Sequence, residues 1–478
     1  MDVQKLFEQC LAGRHHSRFT ITGNIVLKYC YSPFIVWCDA FAPAGERDPE
    51  SGYMHLLFER GIQHEKNVRA SLFPDALQIP MLSFETGFRQ VLDACFKGVK
   101  TLTSAPIFYL PEDIYGITDV IERRNDHSSV FGNHYYVVKE IKSAKRIKNE
   151  YVMQTAFYTY VLGKIQGYTP PKFYLINRVQ EEFEYDYEQY HEAVLQAIKE
   201  IRELYDGKKV SPTAKACRWP WESFCNRTAI EQDDVSIVPN VGPVLKKKLN
   251  AAGIMTVRQL AAQPFELDIP DASLKKIRLG AQAFVDKKPI VLSKPKLRKS
   301  DVELFMDFEG TDELETEEGL VKTDYLIGLL VKEKDRVHFR HFVAEALTDE
   351  GRMLHDFLAY MKKFPDAPIY HYGPYERTHL NELGAKYKVD VSAIISRMID
   401  VLSLVKKNVI FPTMTMSLKE VSKFLGFKYR GMADAQESIV LYLQFLETKE
   451  REILQRILDY NEDDVRATMV VKDYLSKI

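Results

Sequence analysis

The sequence predicts an α/β multidomain chain, and three observations carry that prediction. At 478 residues it exceeds one ordinary core, and a typical domain of about 150 residues divides it into roughly three modules. Short apolar runs such as YYVVKEI and YLIGLLV read as buried strands and alternate with segments of helical apolar spacing. A Lys- and Pro-rich stretch, DKKPIVLSKPKLRKSD, interrupts this alternation as a linker, because proline and like charges both oppose compact packing.

Bulk properties narrow the class. The composition, 46% hydrophobic and 28% charged, is that of folded globular modules rather than a disordered chain. No apolar run approaches the roughly 18 residues of a membrane span, and the N-terminal MDVQKLFEQCLAGRHHSRF lacks the apolar core of a signal peptide. The expectation is a soluble, cytoplasmic protein with no membrane partner. A net charge of −2 provides no global basic field, so any binding of nucleic acid must rest on local patches. Four of the six cysteines form two matched pairs, Cys30 with Cys38 in CYSPFIVWC and Cys217 with Cys225 in CRWPWESFC. In a reducing compartment that spacing invites a metal or iron-sulfur reading, although neither pair has C-x-x-C spacing and small buried hydrophobes fit as well.

Residues 1–228 open with helical HLLFERGIQHEKNVRASLF, pass through short strands and close on the helix-like YEQYHEAVLQAIKEIRELYDG. Between them, DIYGITDVIERR and YYVVKEIKSAK read as two strands of a hairpin joined by the turn-rich RNDHSSVFGNHY. The hairpin brings Asp119 to Glu140 and Lys142, and the E-x-K spacing puts the last two on one face of the sheet. Two carboxylates repel unless a cation joins them, and Mg²⁺ or Mn²⁺ with oxygen ligands is the natural counter-ion. The lysine then steadies developing negative charge or orients the attacking water. In isolation, E-x-K also fits the exposed face of a half-buried strand. NEYVMQTAFYTYVL has helical spacing that places Gln154 and Tyr158 on one face, and His64 in ERGIQHE falls near a helix start, where imidazole could join a metal shell.

In this order, G-x-x-H, G-x-x-D, E-x-K and Q-x-x-x-Y resemble the RecB-family branch of the PD-(D/E)XK nucleases, over most of the first 228 residues. The resemblance implies a restriction-endonuclease-like core with Asp119, Glu140 and His64 at the metal. It also implies that Lys142 assists hydrolysis, and that Gln154 and Tyr158 hold the active site and the DNA. Some members of the family carry an iron-sulfur cluster with one cysteine before the core and three after it. Here Cys30, Cys38, Cys217 and Cys225 flank the core two and two.

Residues 229–292 are helical, and VPNVGPVLKKKLNAAGI has a turn at Gly242 followed by a helix opening at Pro243. Such a turn exposes backbone N–H groups at a helix N-terminus, and Lys246 to Lys248 add positive charge beside it. The segment resembles a helix-hairpin-helix module, which implies a sequence-independent grip on DNA phosphates through Gly242, Lys246 and Lys247. Asn240 stands where that family usually has its first glycine, and asparagine enters positive φ more readily than most residues. A structural helical hairpin or a protein-docking module is the alternative. Residues 293–300 are the linker.

Residues 301–478 begin with the strand VELFMDFEG, which puts Asp307 and Glu309 on one face. APIYHYGPYERTHLNEL follows as a strand running into a helix with His371 and Glu376 near the turn, and RMIDVLSLVKK offers Asp400, as a ligand or only as a helix cap. LDYNEDDVRATMVV reads as a helix with Tyr460 and Asp464 one turn apart and Asp463 toward solvent. D-x-E, a later acid and Y-x-x-x-D resemble the DEDD exonucleases of the ribonuclease H-like fold. The resemblance implies that Asp307, Glu309, Glu376 and Asp464 hold two metal ions and that Tyr460 orients the water. Glu376 stands where aspartate is usual, and His371 where asparagine is common.

The combination resembles a bacterial and archaeal group of RecB-like nucleases. It implies a metal-dependent, two-site nuclease acting on DNA, at single-stranded ends or processing intermediates, with a place in DNA repair. The alternatives are a DNA-binding adaptor with degenerate sites that recruits a helicase, and an RNA exonuclease working through the C-terminal site.

Overall fold

The hairpin around Asp119 lies at the centre of the first of two units in a computed structural model of the chain. The structure describes residues 2–478 apart from 14–18, 81–82, 263–264, 312–313, 317–318, 335 and 432–434. One unit comprises Met1–Glu50 with Met54–Ala229, and the other Ser51–Tyr53 with Ile230–Ile478.

In the first unit, β1 (Ile21–Thr22), β2 (Leu77–Gln78), β3 (Thr101–Tyr109), β4 (Ile114–Arg124), β5 (Tyr135–Ile141), β6 (Lys172–Ile176) and β7 (Glu182–Asp186) form one sheet. Its order is β2-β3-β4-β5-β6-β7, with β1 alongside the start of β4. Strands β3, β4 and β5 are antiparallel, whereas β5 and β6 are parallel and joined through a helix. Every residue of β5 is buried, which is why its sequence reads as a continuous apolar run with only Lys139 and Glu140 breaking it.

The helices of this unit are α1 (Val3–Leu11), α2 (Gly23–Tyr31), α3 (Pro33–Phe41), α4 (Gly52–Leu72), α5 (Phe84–Phe96), α6 (Asn149–Gln166), α7 (Glu188–Tyr205) and α8 (Glu222–Glu231). Helix α6 is buried almost all round, packing between the sheet and its neighbours, and ends where Gly167 adopts φ +68, the left-handed C-cap that glycine favours. Val68 of α4 is fully buried against Val120, Ile141 and Ile176, and this seats α4 over the ends of β4, β5 and β6.

The second unit starts with α9 (Pro243–Ala251), α10 (Val257–Ala262) and α11 (Asp271–Asp286). A five-stranded sheet follows, in the order β13-β12-β9-β14-β15. Its strands, numbered after β8 (Ile290–Val291), are β9 (Val302–Gly310), β12 (Asp324–Glu333), β13 (Arg336–Val343), β14 (Ile369–His371) and β15 (Met398–Asp400). A small hairpin of β10 (Leu314–Thr316) and β11 (Gly319–Val321) lies between β9 and β12, and β8 pairs with β16 (Val409–Ile410). The remaining helices are α12 (Glu350–Met361), α13 (Tyr375–Tyr387), α14 (Ser392–Ile395), α15 (Val401–Asn408), α16 (Leu418–Phe424), α17 (Ala435–Thr448) and α18 (Arg451–Leu475).

The two-residue period of β9 divides its side chains between two cores. Leu304, Met306 and Phe308 pack with residues of α12, α17 and the first half of α18, whereas Phe305 packs with α15, α16 and the second half of α18. Asp307 and Glu309 share the parity of Phe305 and emerge beside α18, where this helix passes from one core to the other. No helix among the described residues is long and apolar enough to cross a membrane.

Candidate functional site

The carboxylates of the first unit sit where β4 parts from its neighbours. The β4–β5 ladder ends at Val120↔Lys139, and on the other side the β3–β4 ladder skips from Thr103↔Val120 to Ala105↔Thr118. Asp119 therefore has no ladder partner, and side chains take over. Its backbone N–H donates to Glu140 Oε1 at 2.9 Å, and the N–H of Ile141 donates to Asp119 Oδ2 at 2.8 Å. Facing Asp119 across the other gap, Ser104 is held at φ +52, a strained conformation for a residue with a side chain.

Lys142 Nζ donates to Glu140 Oε2 and to Gln154 Oε1, each at 2.9 Å, so β5 and α6 close on one point. The ring of Tyr158 rests on backbone, because a Cβ at Gly23 or at Gly116 would lie 2.3 Å from it. Gly116, which opens the G-x-x-D motif, is thus the space Tyr158 occupies. Burial, then the charges of Glu140 and Asp119, push the Tyr158 phenol well up, so it stays a donor. Burial and the nearby Asp119 also push Glu140 up to about 8. For Lys142, burial favours the neutral amine, but Glu140 and Asp119 together outweigh it and the pKa rises.

His64 lies in the middle of α4 rather than at a helix start. Its neighbour Glu65 reaches Asp119, and the Glu65 carboxyl is pushed up to about 7 by burial and then by Asp119. One turn on, Arg69 pairs with Glu65, donates to Ser104 Oγ at 2.7 Å and approaches Asp119 Oδ1 to 3.8 Å. Glu65 and Arg69 were not among the residues singled out from sequence, although their i, i+4 spacing was visible.

The four cysteines do not gather as a set. Cys38, Cys217 and Cys225 share an apolar cluster with Phe34, Ile35 and Trp221, whereas Cys30 is exposed on α2. The thiol of Cys217 is pushed up by Cys225 and by burial, and that of Cys38 by burial and then by Cys225, which places these thiols beside one another. Three of the thiols thus meet in a hydrophobic contact, and no set of four thiolates is assembled among the described residues.

In the helical segment, Gly242 caps α9 with Pro243 in its first turn, and the left-handed turn residue is Asn240 at φ +69. Lys246 differs from expectation. Its ammonium is buried 2.7 Å from Asp234 Oδ2, so it is held within the fold rather than offered to phosphate, while Lys247 is exposed.

The second unit assembles its acids from three elements. Asp307 and Glu309 of β9 and Asp464 of α18 each offer an oxygen within 4.8 Å of the others, the one such group among the described residues. Residues 304–476 match the RNase_H superfamily.

The matched stretch runs from β9 to α18. Among solved structures, the chain is similar to the family B DNA polymerase from the hyperthermophilic archaeon Pyrobaculum calidifontis, with 17% identity over 38% of this chain and a TM-score of 0.29. It spans 25% of that polymerase's length. It is also similar to SSO0001, with 14% identity over 43% of this chain and 84% of that one and a TM-score of 0.18. No curated protein matches it significantly.

At the start of α13, within the matched stretch, Glu376 is buried, adds to the upward push on the Asp307 carboxyl, and lies with Oε2 3.3 Å from His371 Nδ1. Burial first, then the charge of Asp464, push both Asp307 and Glu309 well up. Burial likewise pushes Asp464 up to about 6, while its hydrogen bond from Tyr460 and the charge of Lys419 pull the other way. An all-carboxylate set that resists being charged alone is the donor set a hard divalent cation satisfies. The Tyr460 phenol is pushed up by burial and by Asp464, and the Lys419 ammonium lies 5.7 Å from the centre of its ring.

One further expectation changes, and one open alternative is decided. Asp463 is buried rather than solvent-facing, accepting from the backbone N of Arg430 at 2.7 Å and from its Nε at 2.8 Å. Asp400 serves as a cap, accepting from the N–H groups of Leu402 and Gly373, each at 2.9 Å. Two residues of the site escaped sequence reasoning. Asn461 Nδ2 donates to Asp307 Oδ2 at 2.7 Å, and Ser438 bonds Glu309 while paired with the Tyr325 hydroxyl at 2.7 Å. Asn461 lies inside the Y-x-x-x-D motif, which offered a signal by proximity, whereas nothing local marks Ser438.

Proposed function

We propose that this chain is a metal-dependent nuclease that hydrolyses phosphodiester bonds of DNA at two sites, one centred on Asp307, Glu309, Glu376 and Asp464 and the other on Asp119, Glu140 and Lys142. The observation that carries the reading is the convergence of Asp307, Glu309 and Asp464, with Tyr460 hydrogen-bonded to Asp464, inside a domain that matches the RNase_H superfamily. Mg²⁺ or Mn²⁺ held by these acids would supply Lewis-acid activation of water and neutralise charge on the phosphate. Tyr460 keeps its proton and can orient the attacking water through its hydroxyl. At the other site Lys142 keeps its charge between Glu140 and Gln154, where it can stabilise a developing oxyanion.

The finer reading assigns residues 1–228 to a RecB-like nuclease domain, 229–292 to a helix-hairpin-helix-like DNA grip and 301–478 to the exonuclease-like domain, acting in the cytoplasm on single-stranded ends or processing intermediates. Helix α9, with Gly242 at its N-cap and Lys247 exposed beside it, supports the grip.

The test is cleavage of end-labelled single-stranded DNA, duplex DNA and RNA in Mg²⁺ or Mn²⁺ by wild type, Lys142→Ala, Asp307→Ala and the double variant. Each single variant is expected to remove a different activity. Four proteins that behave alike would end the two-site reading, and preferential digestion of RNA by Lys142→Ala would move the C-terminal substrate from DNA to RNA.

A further inference from the structure

We infer that Asn461 is a positioning residue of the carboxylate site, and that Gly328 is the position that makes room for it. The inference rests on the nuclease reading above and deepens it. Asn461 is completely buried on α18, between Tyr460 and Asp464. Its Nδ2 donates to Asp307 Oδ2 at 2.7 Å, and the amide is close enough to Glu309 to favour the charged form of that carboxyl, so one neutral amide serves both acids of the D-x-E strand. Its carbonyl Oδ1, by contrast, has no hydrogen-bond partner although it is buried. Native interiors leave few such atoms unsatisfied, so this orientation needs a reason.

Two observations supply it. Turning the amide over would set Oδ1 against Asp307 Oδ2, acceptor against acceptor. On the other side, Oδ1 lies against Gly328, where a Cβ would be 1.6 Å from it. Gly328 stands directly opposite Asp307 in the β9–β12 ladder, so the backbone has been kept bare at the one point where the amide must enter. With one lone-pair direction of Asp307 occupied by Asn461, its remaining oxygen is presented to the space shared with Glu309 and Asp464. Outer groups that orient ligands in this way govern how tightly a metal is held.

The experiment measures Mn²⁺ binding by calorimetry and thermal shift on the full chain carrying Asp119→Ala, so that the carboxylate site of the ribonuclease H-like domain dominates the signal. Asn461→Ala, Gly328→Ala and their combination are compared with Asp307→Ala. Asn461→Ala should raise the Mn²⁺ concentration for half-saturation by about 10- to 100-fold, with cleavage recovering at high Mn²⁺. Gly328→Ala should do the same, since the added methyl displaces the amide, and the combined variant should be no worse than Asn461→Ala alone. Because Asn461→Ala only removes atoms, it keeps the proposal testable if Gly328→Ala does not fold. Unchanged Mn²⁺ binding in Asn461→Ala alongside loss in Asp307→Ala would overturn the role of Asn461 and leave the nuclease reading standing. Unchanged binding in both would overturn the metal site and this inference with it.

Discussion

Asp119 and Glu140 face one another across β4 and β5 with side-chain hydrogen bonds in the place of ladder bonds. The backbone N–H of Asp119 is held by Glu140, and that of Ile141 by Asp119. The fork this creates is where Lys142, Gln154, Glu65 and Arg69 all arrive. Removing the positive charge at its centre is informative: in an Asp307→Ala background, Lys142→Met should lower cleavage by about 10²- to 10³-fold, the effect of losing one group that stabilises developing charge. Initial rates on labelled DNA measure this, and a rate within twofold of the parent would remove Lys142 from the chemistry.

Gly116 should be intolerant of even one methyl. Its Cβ would lie 2.3 Å from the Tyr158 ring, and overpacking of this kind is typically worth about 1–3 kcal/mol. Urea denaturation of Gly116→Ala should show that loss. A loss below about 0.5 kcal/mol, the usual range of a surface substitution, would mean that Tyr158 has room to move.

The acids gathered around Asp464 predict a pH dependence with a definite sign. Asp464 is pushed up to about 6, above its ordinary value of 3.8, so the folded chain binds this proton more tightly than the unfolded chain. Without metal, the contribution of Asp464 to stability is therefore fully present below about pH 4 and declines as pH rises through about 6. Thermal unfolding in chelator should show Asp464→Asn gaining on wild type across that window. Mn²⁺ should reverse the trend by favouring the charged carboxylates, and a wild-type and variant difference that is flat with pH would contradict the burial argument.

Lys246 and Lys247 should separate stability from binding. Lys246→Ala leaves the buried Asp234 without its counter-charge, with the two hydrogen bonds from Ser236 remaining, which should destabilise the chain by about 3 kcal/mol. Lys247→Ala should leave the urea midpoint unchanged and lower the slope of log affinity for DNA against log salt by about one phosphate contact. A normal salt slope in Lys247→Ala would shift the phosphate grip elsewhere.

Purified protein should lack the visible absorbance and stoichiometric iron of an iron-sulfur cluster, and Cys30→Ser should unfold at the wild-type midpoint, because Cys30 is exposed and apart from the three buried thiols. Iron at four thiols per cluster, lost in Cys30→Ser, would show that the cysteines rearrange around a metal.

Short-range pattern was enough to read much of this protein. The alternation of VELFMDFEG put Asp307 and Glu309 on one side of β9, and helical spacing put Tyr460 beside Asp464 and Gln154 beside Tyr158, because a strand repeats every two residues and a helix every 3.6. Hairpin chemistry likewise made β4 and β5 neighbours. What sequence alone left open depended on partners distant along the chain. Lys246 and Lys247 are adjacent in sequence, yet only packing against Asp234 buries the first. Asp463 and Asp464 point apart because Arg430 claims one and the acid cluster the other. Glu65, Arg69, Ser438 and Gly328 join their sites across separations that no local periodicity encodes, and Asn461, though inside its motif, is set against Asp307 and Gly328 only by packing. Periodicity decides which face a side chain occupies, and tertiary structure decides what stands opposite that face.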